Sequence, residues 1–373
     1  VFAHSKNILL VDTGDNFKEP SEQGKIKARY IMQAMSKFKY DAVVLGDKDL
    51  VYGASFLNNG SSFPWLLSNA EFIKISPPKI RIKKLENGLS VAVLALIDPD
   101  LYYDTKHSGG NIVDPKESAQ KLIKNIKTSK HIDIIVLLTH MRRDKALSML
   151  QLSGVDVVIN GHIEKDTDII DMNHIESDGK IFAQPGPKGQ KLGELTVQVD
   201  DKGKKRFKRR IVSLDSNFKL DPEMLKWYED YNKEVEDLFL ASLESRKNQD
   251  KKTGVYASEQ ACLTCHPSKH KAWSMSRHSH AYETLSRVNK AFDPECLQCH
   301  VTGWGHDGGF ISEIDTPRLK NVQCEACHGP RFDHTKNLQQ NFQFNAKKAC
   351  KGCHVKNHSP NFNFSKYWEK IKH

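Results

Sequence analysis

Eight cysteines and the four histidines beside them carry the most specific chemistry in this chain. They form Cys262-Leu-Thr-Cys265-His266, Cys296-Leu-Gln-Cys299-His300, Cys324-Glu-Ala-Cys327-His328 and Cys350-Lys-Gly-Cys353-His354, and the 373 residues include no other cysteine. Two thiols at this spacing add across the vinyl groups of one porphyrin, and the histidine that follows becomes an axial ligand of its iron. Paired zinc sites also use Cys-x-x-Cys hooks, but they do not need a histidine directly after each hook. All four hooks have one. The repeat therefore points to four covalently attached haem c groups, with His266, His300, His328 and His354 as proximal ligands. Such haem is attached outside the cytoplasm, which implies a periplasmic or extracellular protein whose signal segment has been removed.

Each iron can take a second axial ligand. Eleven of the 17 histidines lie in residues 255–373, and seven of these are outside the motifs. His270, His334 and His358 follow their own motifs closely, so they reach a neighbouring haem more easily. His278 and His280 are expected on a helix after the first motif, facing different directions. His306, in the stretch Gly303–Gly309, reads as a loop residue. The distal candidates are His278, His280, His334 and His373, with His358 next. The alternative for each is an exposed or propionate-bonded histidine. Four haems on about 110 residues must lie close together, near van der Waals contact.

The elements that hold these residues differ along the chain. Ile8–Val11, Ala42–Leu45, Leu89–Ile97, Ile132–Leu138 and Val155–Ile159 are apolar runs of the kind found in strands buried on both faces. Glu22–Phe38, Pro115–Ser129 and Arg142–Leu152 have helical spacing. The alternation predicts an α/β layered domain over 1–217. Asp221-Pro222-Glu223 opens a helix with a cap and an N1 proline, running to about Arg246, with Lys247–Gly254 as a linker. Residues 218–254 thus connect to a mainly α, loop-rich domain over 255–373, where macrocycles supply much of the core.

Charged residues are 27 % and hydrophobic residues 38 %, as in a folded globular chain. No apolar run approaches the roughly 18 residues of a transmembrane helix. The formal charge is +10, but four ferric haems with ionised propionates each add about −1 and leave roughly +6. The basic run Lys202–Arg210 lies between the strand-like stretches Leu195–Val199 and Ile211–Leu214. It reads as a solvated hairpin, not a nucleic-acid site.

Cys324-Glu-Ala-Cys-His-Gly-Pro330 followed by His334, together with Ser276-x-His278-x-x-Ala281, resembles the cytochrome c-554 family of tetrahaem proteins. The resemblance covers about residues 255–373. It implies a mainly helical domain with stacked haem pairs, mostly bis-histidine ligated, in which one haem can lack a distal ligand.

Residues 1–215 resemble the metallophosphoesterase domain of bacterial 5'-nucleotidases. The segments that carry this are Leu10-Val-Asp-Thr-Gly-Asp15, Tyr40-Asp-Ala-Val-Val-Leu-Gly46, Phe63-Pro-Trp-Leu-Leu-Ser-Asn69, Leu138-Thr-His140 and Val158-Ile-Asn-Gly-His162. The resemblance implies a β-sandwich flanked by helices and two metal ions bridged by Asp15. The family's Gly-Asn-His-Glu reads Gly46-Asp47-Lys48-Asp49 here, and its Gly-His-x-His reads Gly161-His162-Ile-Glu164. Its opening Asp-x-His has no counterpart. One divalent metal position survives as Asp15, Asp47, His140 and His162, and Lys48 brings a positive charge near it. The absent first strand implies residues before Val1 or a strand donated by another chain.

These readings favour electron transfer through closely spaced haems to redox proteins or other copies of the chain, with a filament as the extended form. The alternatives are a haem oxidoreductase of a small nitrogen or sulfur compound, and a bifunctional metallophosphoesterase/nucleotidase. No Cys-x-x-Cys-Lys variant occurs.

Overall fold

A computed structural model describes residues 6–17, 20–58, 63–72, 75–102, 110–163, 174–249, 255–337, 344–355 and 358–373. Glu164 and residues 250–254 of the expected linker lie outside them. Contacts divide the chain into two compact units, Val1–Trp227 and Tyr228–His373. The helix Pro222–Gln249 begins in the first and ends in the second.

In the first unit the long apolar runs become the centre of a sheet. Strands β1 (Val11–Asp12), β2 (Ala42–Val44) and β3 (Trp65–Leu66) form a parallel sheet in the order β1-β2-β3. Strands β4 (Ala70–Phe72) and β7 (Gly110–Ile112) form a small antiparallel pair. The large sheet has the order β10-β11-β9-β8-β6-β5. Its members are β5 (Arg81–Lys84), β6 (Ser90–Ile97), β8 (Ile134–His140), β9 (Val157–Asn160), β10 (Ile175–Ser177) and β11 (Lys180–Ala183). Strands β6, β8, β9 and β11 run parallel, with antiparallel β5 and β10 at the edges.

Alternation along each central strand supplies two cores. Val91, Val93, Ala95 and Ile97 of β6 and Val136 and Leu138 of β8 enter one, shared with Val43, Val44, Trp65 and Leu66 of the smaller parallel sheet. Ala92, Leu94, Leu96, Ile135 and Leu137 point the other way. They pack with Ala119, Ile123 and Ile126 of the helix Pro115–Ser129. The period of 2 on the strands and the i, i+4, i+7 spacing on the helix make this two-sided burial possible. The result is an α/β layered fold.

Several boundaries differ from the sequence reading. The expected helix Arg142–Leu152 is a helix over Arg143–Ser148 followed by a 3-10 turn, Met149–Gln151. The Met149 N–H bonds both Ala146 and Leu147 carbonyls, which tightens the chain there. The expected strand Ile8–Val11 pairs only over Val11–Asp12, because Asp41 takes Leu10: its carboxylate accepts the Leu10 N–H at 2.8 Å, and its own N–H bonds the Leu10 carbonyl. The basic run lies in a hairpin, as expected, and its strand begins earlier than Ile211, at Lys205. Strands β12 (Lys191–Val199) and β13 (Lys205–Ser213) pair along their full length. Leu195, Val197, Val199 and Phe207 pack on the core while Arg206, Lys208 and Arg210 face out, and Lys205, on the inner face, pairs with Asp156 at 2.9 Å.

The second unit is built from short helices: Glu259–Leu263, Pro267–Ser274, Ala281–Arg287, Pro294–His300, Cys324–His328, Ala346–Cys353 and Phe364–Trp368. The expected helix through His278 and His280 is a 3-10 turn, Arg277–His280. The Ser276 hydroxyl accepts the His278 N–H, and the Ser279 hydroxyl donates to the Ser274 and Ser276 carbonyls, closing that turn. Thr302, fully buried after the second motif, ties it to the third. Its hydroxyl donates to the Asn321 carbonyl and accepts the Gln323 N–H at 3.0 Å.

Candidate functional site

The motif cysteines and histidines occupy helix ends and first turns. The second motif lies in Pro294–His300, opened by an N1 proline and by Asp293, whose carboxylate accepts the Glu295 N–H. The third is the helix Cys324–His328, ended by Gly329 at φ 76°. Cys262 of the first motif shares a side-chain hydrogen bond with Cys324 of the third, and Cys299 of the second shares one with Cys353 of the fourth. The third motif thus neighbours the first and, through Cys327 and Cys350, the fourth, which in turn neighbours the second.

Histidines from distant parts of the sequence face the motif histidines. The ring centres of His266 and His334 are 6.4 Å apart, those of His278 and His354 6.1 Å, and those of His328 and His373 5.9 Å. Two imidazoles that ligate one iron from opposite sides span about 6.2 Å, from a metal–nitrogen bond of about 2.0 Å and about 1.1 Å from nitrogen to ring centre on each side. Burial first, and the partner imidazole next, lower the pKa of His278 and of His328, favouring the neutral, ligating form. Thiols in pairs and imidazoles at this separation are a donor set that fits covalent haem.

His300 differs. Its Nδ1 is 2.7 Å from the Ala281 carbonyl and 3.2 Å from the Thr284 hydroxyl, which orients Nε2 outward from these partners. Among the described residues no imidazole faces it at the span of the other three pairs. His280 is exposed beside Glu283, His358 is exposed, and His270 bonds Glu259. His306 lies exposed in its Gly-rich turn.

The first unit brings its own four candidates together. Asp15 follows β1, Asp47 follows β2, His140 ends β8 and His162 follows β9, so all four sit at the carboxyl ends of parallel strands. One ligand atom from each lies within 4.8 Å of all the others. The fully buried His140 has Nδ1 2.8 Å from the Thr13 carbonyl, so Nδ1–H donates and Nε2 faces Asp47 at 2.9 Å and Asp15 at 3.4 Å. Burial, the largest cause, opposes the charged imidazole, but the Asp47 hydrogen bond and the Asp15 charge together raise its pKa. Two glycines allow the loops to meet. A Cβ on Gly46 would lie 2.4 Å from the Asp15 nitrogen, and one on Gly161 2.3 Å from the Thr13 carbonyl.

Two carboxylates and two imidazoles suit a borderline divalent cation such as zinc or manganese. The Lys48 ammonium, 2.8 Å from Asp15 Oδ2, occupies the oxygen that a bridging role would need. The residues present therefore fit one cation and not the pair implied by resemblance.

The sequence reading did not assign Asp49. It is fully buried and accepts the N–H groups of Asp15, Asn16 and Gly46 at 2.8–3.0 Å, joining the two ligand loops. Burial and then the charge of Asp15 push its pKa up to about 7. Its place two residues beyond Asp47 was the available signal.

The comparisons with known proteins find two kinds of relative. The family described as "Cytochrome c554 and c-prime" matches residues 261–329, which include the first three motifs. Cytochrome c-554 of Nitrosomonas europaea is 32 % identical over 113 residues, covering 25 % of this chain and 48 % of that protein. The 5'-nucleotidase of Vibrio vulnificus is 26 % identical over 223 residues, covering 54 % of this chain and 40 % of that protein. The crystal structure of a 5'-nucleotidase precursor from Thermus thermophilus superposes with a TM-score of 0.54 at 20 % identity, over 63 % of this chain and 51 % of that one. The chain spans less than half the length of these curated relatives. It joins a 5'-nucleotidase-like domain of metallophosphoesterase fold to a c-type cytochrome segment similar to cytochrome c-554.

Proposed function

We propose that residues 255–373 carry four covalently bound haem c groups and relay electrons between partners outside the cytoplasm. The observation that carries this reading is the set of three histidine pairs at the span of one shared iron, each including one motif histidine. His334, His278 and His373 would then supply the second ligand to the irons held by His266, His354 and His328. The approach of cysteines from different motifs, first to third, second to fourth and third to fourth, supports closely spaced haems. Haem supplies reversible one-electron chemistry when bound. The chain's own part would be to supply His266 with His334, His354 with His278 and His328 with His373 to three irons, to orient His300 through Ala281 and Thr284, and to hold the motifs close together. Redox proteins and further copies of the chain, including a filament, are the proposed partners, and the periplasm or cell surface is the proposed location. Among the described residues no helix is long and apolar enough to cross a membrane.

The test is intact mass together with electron paramagnetic resonance of the purified protein. Four haem additions, with three low-spin ferric centres and one high-spin centre, are the expected result. Fewer haems, or bound zinc without haem, would sink the proposal. A high-spin centre at His300 that reacts with small nitrogen or sulfur oxyanions supports the oxidoreductase alternative.

A second reading rests on the cluster of Asp15, Asp47, His140 and His162, which fits one divalent metal. Nucleotide hydrolysis at that centre is the remaining alternative. Elemental analysis that finds iron and no second metal, with no phosphatase activity after zinc or manganese is added, counts against it.

A further inference from the structure

We infer that Glu325, inside the third Cys-x-x-Cys-His motif, sets the redox potential of the haems held by the first and third motifs. This rests on the four-haem reading above. The Glu325 side chain is 3 % exposed, in a segment that also holds Cys324, Cys327 and His328. One carboxylate oxygen accepts the N–H of Ala257 at 3.0 Å and that of Arg331 at 2.7 Å; the other accepts the N–H of Ser258 at 2.9 Å. Ala257 and Ser258 lie just before the first motif, and Arg331 lies just after the third. One buried acid thus spans the attachment segments of two haems. Two positions earlier the buried Gln323 makes a similar brace without charge: its oxygen accepts the Glu259 N–H at 2.8 Å and its nitrogen donates to the Arg318 and Lys320 carbonyls.

The three partners of Glu325 are all donors, so a neutral amide cannot satisfy them with both of its ends. The three donors favour the carboxylate form, whose charge would lie where solvent screens it poorly. It reaches across the brace: burial first, and the charge of Glu325 next, raise the pKa of the Tyr256 phenol. A fixed negative charge beside a haem stabilises ferric iron over ferrous iron and lowers the reduction potential. The thiol contact between Cys262 and Cys324 places both attachment segments near this one carboxylate.

The experiment is a potentiometric titration of the haem-loaded full chain, with haem counted by intact mass, for the wild type, Glu325→Gln and Glu325→Asp. Glu325→Gln is expected to keep the haem count and to move two of the four redox components to more positive potential, leaving the other two in place. Glu325→Asp, which keeps the charge, is expected to stay near the wild type. Potentials that do not move in Glu325→Gln, or that move equally in Glu325→Asp, overturn the inference. If Glu325→Gln does not load its haems, Ala257→Lys sets an ammonium beside the same carboxylate from a partly exposed position. It is expected to raise the same two components, and unchanged potentials again overturn the inference. A wild-type protein without covalent haem defeats the four-haem reading itself, before any variant is compared.

Discussion

At the scale of single residues, chemistry in this chain depends on partners brought from far away in sequence. His334 stands opposite His266, 68 positions earlier, at 6.4 Å. His334→Ala is expected to convert one low-spin ferric centre to high spin and leave the others unchanged, as read by electron paramagnetic resonance; an unaltered spectrum would falsify the pairing. In the other unit, Lys48 competes with any cation for Asp15. Lys48→Ala is expected to tighten zinc or manganese binding about tenfold, which corresponds to about 1.4 kcal/mol, measured by calorimetric titration. Binding that weakens instead would mean that the ammonium supports the site. The motif cysteines and histidines were legible as a linear pattern, because covalent attachment needs adjacent groups. Which spare histidine faces which motif was not, since His278, His280, His334, His358 and His373 are equivalent by type and differ only in where the turns carry them.

At the scale of elements, strand alternation and close loop approach do most of the work. Leu138 is fully buried in the middle of the β6-β8-β9 region, so Leu138→Ala leaves a cavity there and should cost about 2–5 kcal/mol in the unfolding of the first unit. A loss below about 1 kcal/mol on chemical denaturation would contradict this packing. Gly161→Ala tests loop approach in place of the core. Its Cβ would meet the Thr13 carbonyl that orients His140, so metal binding should fall while the far-ultraviolet dichroism of the sheet is retained. The strands Ala42–Val44, Ser90–Ile97, Ile134–His140 and Val157–Asn160 and the helices Glu22–Lys37 and Pro115–Ser129 were legible within a residue or two, because their period is a property of the local sequence. The 3-10 turn at Arg277–His280 and the full length of the β12–β13 ribbon were not. The first depends on the Ser276 and Ser279 hydroxyls closing a turn, and the second on an apolar core that claims alternate residues of a basic run.

At the scale of the whole molecule, the two units differ in what holds them. The first has two protein cores on either side of its large sheet. In the second, the helices Glu259–Leu263, Pro267–Ser274, Ala346–Cys353 and Phe364–Trp368 have no buried residue. On the four-haem reading, scanning calorimetry of protein made without haem attachment should show the transition of the first unit unchanged and that of the second lost or strongly lowered. Equal melting of both units with and without haem would count against macrocycles as core. The sequence by itself determined the haem-binding repeat, the α/β layering and the identities of the candidate metal ligands, because each is written in adjacent residues or in a short period. Only the tertiary structure decided the rest: which imidazoles face each other at about 6 Å, that Asp15, Asp47, His140 and His162 converge while Lys48 claims one oxygen of Asp15, and that Glu325 braces two motifs. The physical reason is that these are contacts between segments distant in sequence, set by strand order and loop closure, on which neither composition nor spacing bears.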